Sequence, residues 1–222
     1  IRAKIREFII NKRLKQFVSE QVLHEMQNKG GRLIPRKQTV SVLFTDIRGF
    51  AEMTAVMSAQ EITALLNTYY FLPLDRIVFE FGGTLDKHIG DSIMAIFGAP
   101  LSDKDDAVRA VSCAIKMRDT MAEINKKLIQ GKGPRIPIGI GIATGEVMVG
   151  IFGSPIKREY TVLGTPVNLA SRLERVAGED QILICNETFQ MVRDAFRATA
   201  IDHVSFKGIE GQKSIFNVIG AA

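Results

Sequence analysis

Two aspartates stand at the ends of apolar runs. Asp46 closes "TVSVLFTD" (39–46) and Asp91 opens "DSIMAIF" (91–97). Two carboxylates held close without cations repel, and each has its pKa raised. Divalent metals remove that conflict, and an oxygen donor set favours Mg²⁺ or Mn²⁺. Spacing alone leaves a plainer reading open: two turn aspartates, one of them capping a helix. After Asp46, in "DIRGF", the chain turns through Gly49, so successive backbone N–H groups can face an anion. Phosphate oxygens together with metals imply a nucleotide, although glycine turns after strands are common. In "NLASR", Asn168 and Arg172 are four apart and share a face if the segment is helical. No carboxylate lies three or four positions from Arg172, and Glu174 is two away, so the alternative to a ligand-facing arginine is a solvated one. Lys87 precedes Asp91 by four residues across a glycine turn in "GGTLDKHIGDSIMAIFG" (82–98), where a salt bridge is the simplest reading.

The elements that must position these groups follow from periodicity. "TVSVLFTD" reads as a buried strand. Residues 58–81 read as a helix, with Ile62, Leu65, Leu66, Tyr69 and Leu72 at helical spacing and a kink expected at Pro73. Residues 83–87 and 92–97 form a predicted hairpin around a turn at 88–91, and 103–129 a long helix. "IPIGIGIATG" and "EVMVGIFG" read as a second hairpin, "YTVLG" as a short strand, and "TPVNLASRLERVAG" as a helix closed by Gly178. Short strands recur at 182–185, 200–206 and 214–219. The order predicts an α+β fold, a ferredoxin-like (palm-like) βαββαβ core with a C-terminal extension. In that topology the first strand lies antiparallel beside the third, which makes Asp46 and Asp91 neighbours.

Residues 1–28 read as helix, with stripes Ile1, Ile5, Phe8, Ile9 and then Leu14, Phe17, Val18, and a change of phase near Ser19. The loop "NKGGRLIPRK" (28–37) sets the domain boundary, giving a helical linker over 1–37 and a catalytic domain over 38–222. The chain of 222 residues is 46% hydrophobic and carries a net charge of +5. Ten Lys/Arg against three Glu put +7 into residues 1–37, so the remaining 185 residues carry a net −2. The globular part is therefore not basic, which argues against nucleic-acid binding. The basic lead-in suits a position beside the cytoplasmic face of a membrane, should a span lie upstream. No apolar run reaches the roughly 18–20 residues of a span. Cys113 and Cys185, far apart in apolar surroundings, read as reduced thiols of a cytoplasmic domain. The initial Ile and the absence of a leader suggest a fragment of a longer protein.

"VLFTDIRGF", "GGTLDKHIGDSIMAIFG", "IGIGIATGEVMVG" and "YTVLGTPVNLASRLE" together resemble the class III nucleotide cyclase catalytic domain, in family order from about Thr39 to Val218. The lead-in resembles the connecting segment of bacterial multidomain cyclases. The resemblance implies two-metal chemistry in which Asp46, Asp91 and the Ile47 carbonyl bind both ions. A ribose 3′-OH then attacks the α-phosphate and pyrophosphate leaves. It further implies phosphate binding at Gly49 and Phe50, ribose positioning by Asn168, stabilisation of α-phosphate charge by Arg172, and a phosphate-binding Lys207. The family's sites form between two domains arranged head to tail, so a homodimer is expected. Asp91 would then serve one site and Lys87 the other. Lys87 would donate to adenine N1 and Thr161 accept from the exocyclic amine, which makes ATP the expected substrate. Guanylate-selective relatives carry glutamate and commonly cysteine there. Thr161 departs from the aspartate of the mammalian enzymes but matches a large bacterial subgroup. An upstream sensor or membrane domain is the implied partner in the same chain. A diguanylate-type cyclase is disfavoured by the lack of a GGDEF-like signature. A nucleotide-binding module without turnover is disfavoured because no metal aspartate and no arginine has been lost.

Overall fold

The computed structural model describes Val22, Glu25, residues 34–205 and residues 212–222. Val22 and Glu25 are helical; both lead-in stripes and the change of phase near Ser19 lie outside the described residues. Strand β1 (Arg36–Ile47) is followed by the short helix α1 (Phe50–Thr54). A longer helical run then comprises α2 (Ala59–Ala64), π-helical turns over Leu65–Phe71, and α3 (Leu72–Glu80). Its start is a capping box. The Ser58 hydroxyl accepts from Glu61 N–H, and the Glu61 carboxylate accepts from Ser58 N–H at 2.8 Å. The distortion expected at Pro73 takes the form of those widened turns. Proline has no N–H to give and crowds the carbonyl one turn back, and π-helical geometry is a common way to absorb such a break.

Strands β2 (Thr84–Ile89) and β3 (Ser92–Phe97) form the predicted hairpin, and α4 (Asp106–Gln130) the long helix. Next come β4 (Ile138–Gly153), β5 (Arg158–Leu163), α5 (Thr165–Val176), β6 (Gln181–Cys185), α6 (Asn186–Val192), β7 (Phe196–Ser205) and β8 (Gln212–Ala221). The sheet order is β2-β3-β1-β4-β6-β8-β7, with β5 paired to β4 off that path. Its first four strands have the order and antiparallel pairing of a ferredoxin-like core, as the sequence predicts.

Two expectations are corrected and one element is added. The supposed hairpin around "ATGE" is one strand of 16 residues, because β1 pairs with it from Arg36↔Val149 through Val40↔Gly145 to Ile47↔Ile138. The true hairpin joins β4 to β5, turning after Gly153 at φ 121°. Gly178 does not close α5 in a left-handed conformation. The helix ends at Val176, Ala177 is extended, and Gly178 N–H is held by the Gln181 side chain at 2.8 Å. Helix α6 was not foreseen. Its seven residues are too few for a clear period, and its cap is the Cys185 sulfur, which accepts from Thr188 N–H at 3.4 Å.

β1 is buried on both faces, which is why it reads as a continuous apolar run. Leu43 and Ile47 pack with Val78, Val111, Met117 and Ile140 under α3 and α4. Val40, Val42 and Phe44 pack with Leu169, Ala170 and Leu173 of α5 on the other face. Cys113 and Cys185 are buried and free. Among the described residues no helix is long and apolar enough to cross a membrane.

Gly141 sets how closely α5 lies on β4. A Cβ there would stand 2.2 Å from Glu174 N and 2.3 Å from Ala170 O, both backbone atoms. Gly141→Ala should therefore cost roughly 1–3 kcal/mol or more in urea unfolding. Gly220→Ala, where a Cβ meets nothing within 4 Å, should leave the midpoint nearly unchanged.

Candidate active site

The β1–β3 register pairs Thr45 with Ile93, so Asp46 and Asp91 meet where the two strands end. Both are half-buried and line an open hollow of about 370 Å³ with Ile47, Gly49, Phe50 and Glu174. Burial pushes the Asp46 carboxyl up to about 7, the adjacent Asp91 adds to that rise, and Arg48 opposes it. Gly49, at φ 72° and ψ 21°, occupies the left-handed region that lets the chain leave β1 and enter α1.

Arg48 holds this mouth together. Its Nη1 donates to the Glu174 carbonyl at 3.1 Å and to those of Arg175 and Ala177 at 3.4 Å, which satisfies the open C-terminus of α5. Its Nη2 pairs with the Glu174 carboxylate, whose side chain is 4% exposed, and stands 3.6 Å from Asp46 Oδ1. One guanidinium thus ties the end of β1 to the end of α5 beside the carboxylates.

Lys87 lies elsewhere. The β2–β3 register shifts between Leu85 and Lys87, so Asp86 is the extra residue of a β-bulge. In a regular strand Asp86 and Lys87 would point to opposite faces. Here Lys87 Nζ is 3.7 Å from Asp86 Oδ1, and both side chains reach the same strand. Lys87 donates to Glu159 Oε2 at 2.5 Å, and Asp86 Oδ2 accepts from the Thr161 hydroxyl at 2.5 Å. Glu159 and Thr161, two apart on β5, face one side. Lys87, Thr161 and Glu159 line a second hollow of about 480 Å³ together with Phe44, Met94 and Val162. The salt bridge between Lys87 and Asp91 that spacing alone allowed is not formed; the partner of Lys87 is Glu159.

Asn168 is exposed on α5, one turn before Arg172. Arg172 is half-buried, and its Nη1 is fully buried without a hydrogen-bond partner. A solvated arginine would not be left so. An N–H left without an acceptor is costly unless a ligand or a neighbouring chain supplies one.

One chain therefore gathers Asp46, Ile47, Gly49, Phe50 and Asp91 in one hollow, and Lys87 with Thr161 in another. Asn168 and Arg172 line neither, and Lys207 lies outside the described residues. Sequence reasoning missed Arg48, Glu174, Asp86 and Glu159. A signal existed for Glu174, which sits on the buried face of α5 with Leu169, Ala170 and Leu173. A charge on an apolar stripe asks for a partner.

The model of the adenylate and guanylate cyclase catalytic domain matches residues 33–220, and the chain belongs to that family. It is 38% identical over 189 residues to the terminal-differentiation specific adenylate cyclase of Dictyostelium discoideum, covering 82% of this chain and 9% of that protein. It is 34% identical over 188 residues to an adenylate cyclase of Anabaena cylindrica, covering 81% of this chain and 36% of that one. The chain thus spans about a third or less of these curated relatives. The adenylyl cyclase CyaB of P. aeruginosa superposes with a TM-score of 0.81 at 36% identity, over 86% of this chain and 98% of that one. The guanylyl cyclase Cya2 superposes at 0.80 and 34% identity, over 85% and 95%. The fold and the enzyme class, a nucleotide cyclase, agree with the expectations from sequence. Solved structures named for either base superpose about equally well, so the base is a matter for the site.

The raised Asp46 pKa gives a signed prediction. Between the ordinary carboxylate range near 4 and about 7, the folded domain binds more protons than the unfolded chain. Stability of the metal-free domain should therefore fall as pH rises through that window. Asp46→Asn should flatten the fall and raise the melting temperature at pH 8. A melting temperature unaffected by both pH and substitution would show that the two carboxylates do not strain the fold.

Proposed function

We propose that the domain converts ATP to 3′,5′-cyclic AMP and pyrophosphate in a homodimer whose sites take residues from both chains. The observation that carries this reading is the separation of the two hollows. The carboxylates and the base-reading residues of one chain line different cavities, so a single protomer offers complementary halves rather than one site. Two copies head to tail complete two sites.

Among the described residues no group of three or more His, Cys, Asp or Glu is arranged as a metal cage. Two adjacent carboxylates with a raised Asp46 pKa nevertheless fit hard dications whose other positions are filled by oxygens from substrate and backbone. Asp46, Asp91 and the Ile47 carbonyl would hold Mg²⁺ or Mn²⁺. When bound, the ions supply Lewis acidity at the 3′-oxygen and at the triphosphate.

The rest falls to side chains and backbone. The turn at Gly49 and Phe50 presents N–H groups to phosphate oxygens, and Lys207 is assigned to phosphate by resemblance. Arg172, with its unpartnered Nη1, donates to the α-phosphate as negative charge grows there. Asn168 orients the ribose so that its 3′-oxygen attacks in line. The new bond joins that oxygen to the α-phosphorus, the bond to the β-phosphate oxygen breaks, and the 3′-OH proton is lost to solvent. Lys87 keeps donors beyond the one given to Glu159 and offers one to adenine N1, while Thr161 accepts from the 6-amino group. The domain works as the cytoplasmic output of a larger chain whose sensor or membrane part lies upstream.

Cyclic AMP should form from Mn-ATP. Arg172→Ala should lower kcat roughly 10²–10³-fold. Mixing Asp46→Ala with Arg172→Ala chains should return about a quarter of wild-type activity, because half the dimers are mixed and each holds one intact site of two. Asp46→Ala mixed with Asp91→Ala should return none. Equal recovery in both mixtures would sink the shared-site geometry. Lys87→Glu with Thr161→Cys should lose its preference for ATP; a retained preference would show that the pair does not read the base.

A further inference from the structure

Asp86 has no role in the scheme above, yet it is held tightly behind two residues of the base-reading hollow. It is the bulge residue of β2, its side chain is 1% exposed, and its Oδ2 accepts a hydrogen bond from the Thr161 hydroxyl at 2.5 Å. Its Oδ1 makes no hydrogen bond and lies 3.7 Å from the Lys87 ammonium. A buried carboxylate is a costly device unless its charge is used. Here the charge faces two residues that line one hollow.

A hydroxyl has one proton and two lone pairs. A threonine alone is therefore ambiguous: it can accept from an amino group or donate to a carbonyl oxygen. Once its proton is committed to a carboxylate, only lone pairs remain for a ligand. Lys87 has the opposite polarity and can only donate. From Lys87 and Thr161 the base edge then meets one donor and one acceptor. That matches N1 and the 6-amino group of a 6-aminopurine. It opposes the N1–H and 6-oxo group of a 6-oxopurine at both positions.

We propose that Asp86 is a specificity-determining positioning residue, fixing Thr161 as an acceptor so that 6-aminopurine nucleoside triphosphates are taken and 6-oxopurine ones refused. The inference rests on the cyclase reading above. Asp86 acts through Thr161 and touches no substrate. Refusal comes from an unmatched polar pair, acceptor against acceptor, which discriminates more strongly than a missing contact does. Burial raises the Asp86 pKa, and the Thr161 hydrogen bond and Lys87 both draw it back toward the charged form that the device requires.

The test compares kcat/KM for Mn-ATP and Mn-ITP, which differ only at N1 and position 6. In Asp86→Asn the side-chain oxygen is drawn to the Lys87 side and the amide N–H₂ turns to Thr161, freeing its hydroxyl to donate. The ATP/ITP ratio should fall about tenfold or more, chiefly through KM. Asp86→Ala, which leaves the hydroxyl free to rotate, should also lower the ratio and carries the test should the first variant fail to fold. In a Thr161→Val background the substitution at Asp86 should leave the ratio unchanged, whereas Thr161→Ser should keep the wild-type ratio. A merely structural Asp86 would lower turnover of both nucleotides alike and would do so with or without the Thr161 hydroxyl. That outcome overturns the proposal while leaving the cyclase reading intact. Wild-type protein that forms no cyclic nucleotide from Mn-ATP overturns both.

Discussion

Two like charges at one mouth of a sheet are the constraint around which this domain is arranged. The antiparallel pairing of β1 with β3 brings Asp46 and Asp91 together and leaves the Asp46 carboxyl far above its ordinary range. Left alone, such a mouth would splay. Arg48 prevents that without neutralising the pair: most of its donors go to the C-terminal carbonyls of α5 and to Glu174, and only one edge approaches Asp46. The arginine therefore acts more as a strut than as a counter-ion. Gly141 serves the same end from below, since only a strand without a side chain there lets α5 lie close enough for its terminus to reach Arg48.

The core of this arrangement was legible in the sequence because it is built from local signals. A doubly buried strand reads as a continuous apolar run, and the order of elements fixes which strands neighbour each other. The meeting of Asp46 and Asp91 followed from these two facts alone. The long helical run was legible from its apolar spacing and its irregularity from Pro73, but Tyr69 and Leu72 are exposed: from the π-helical turns onward the buried face carries Tyr70, Leu74 and Ile77. The roles of Lys87, Thr161 and Arg172 came instead from resemblance to a family.

What was not legible is long-range. "ATGE" has local turn chemistry, but the partner strand runs straight past it, and pairing outweighs a glycine's preference. Arg48 and Glu174 are 126 residues apart, so no spacing rule could join them. The buried state of Arg172 Nη1 depends on how α5 is seated, and a helical wheel reports the face of a residue without its depth. Asp86 was hidden for a different reason. Alternation assigns it and Lys87 to opposite faces, and only the observed register reveals that Asp86 is an additional residue.

That bulge is a matter of residue count rather than of composition. No substitution at positions 85–87 takes the additional residue out, so point mutations only change which side chains sit on a fixed two-pronged mount. Losing one residue would restore regular alternation and turn either the carboxylate or the ammonium away from β5. Exchanges of side chain therefore alter what the mount carries, while in-frame deletions in this short strand remove the mount itself. The length of β2, more than the identity of any one residue on it, is what keeps both side chains turned toward β5.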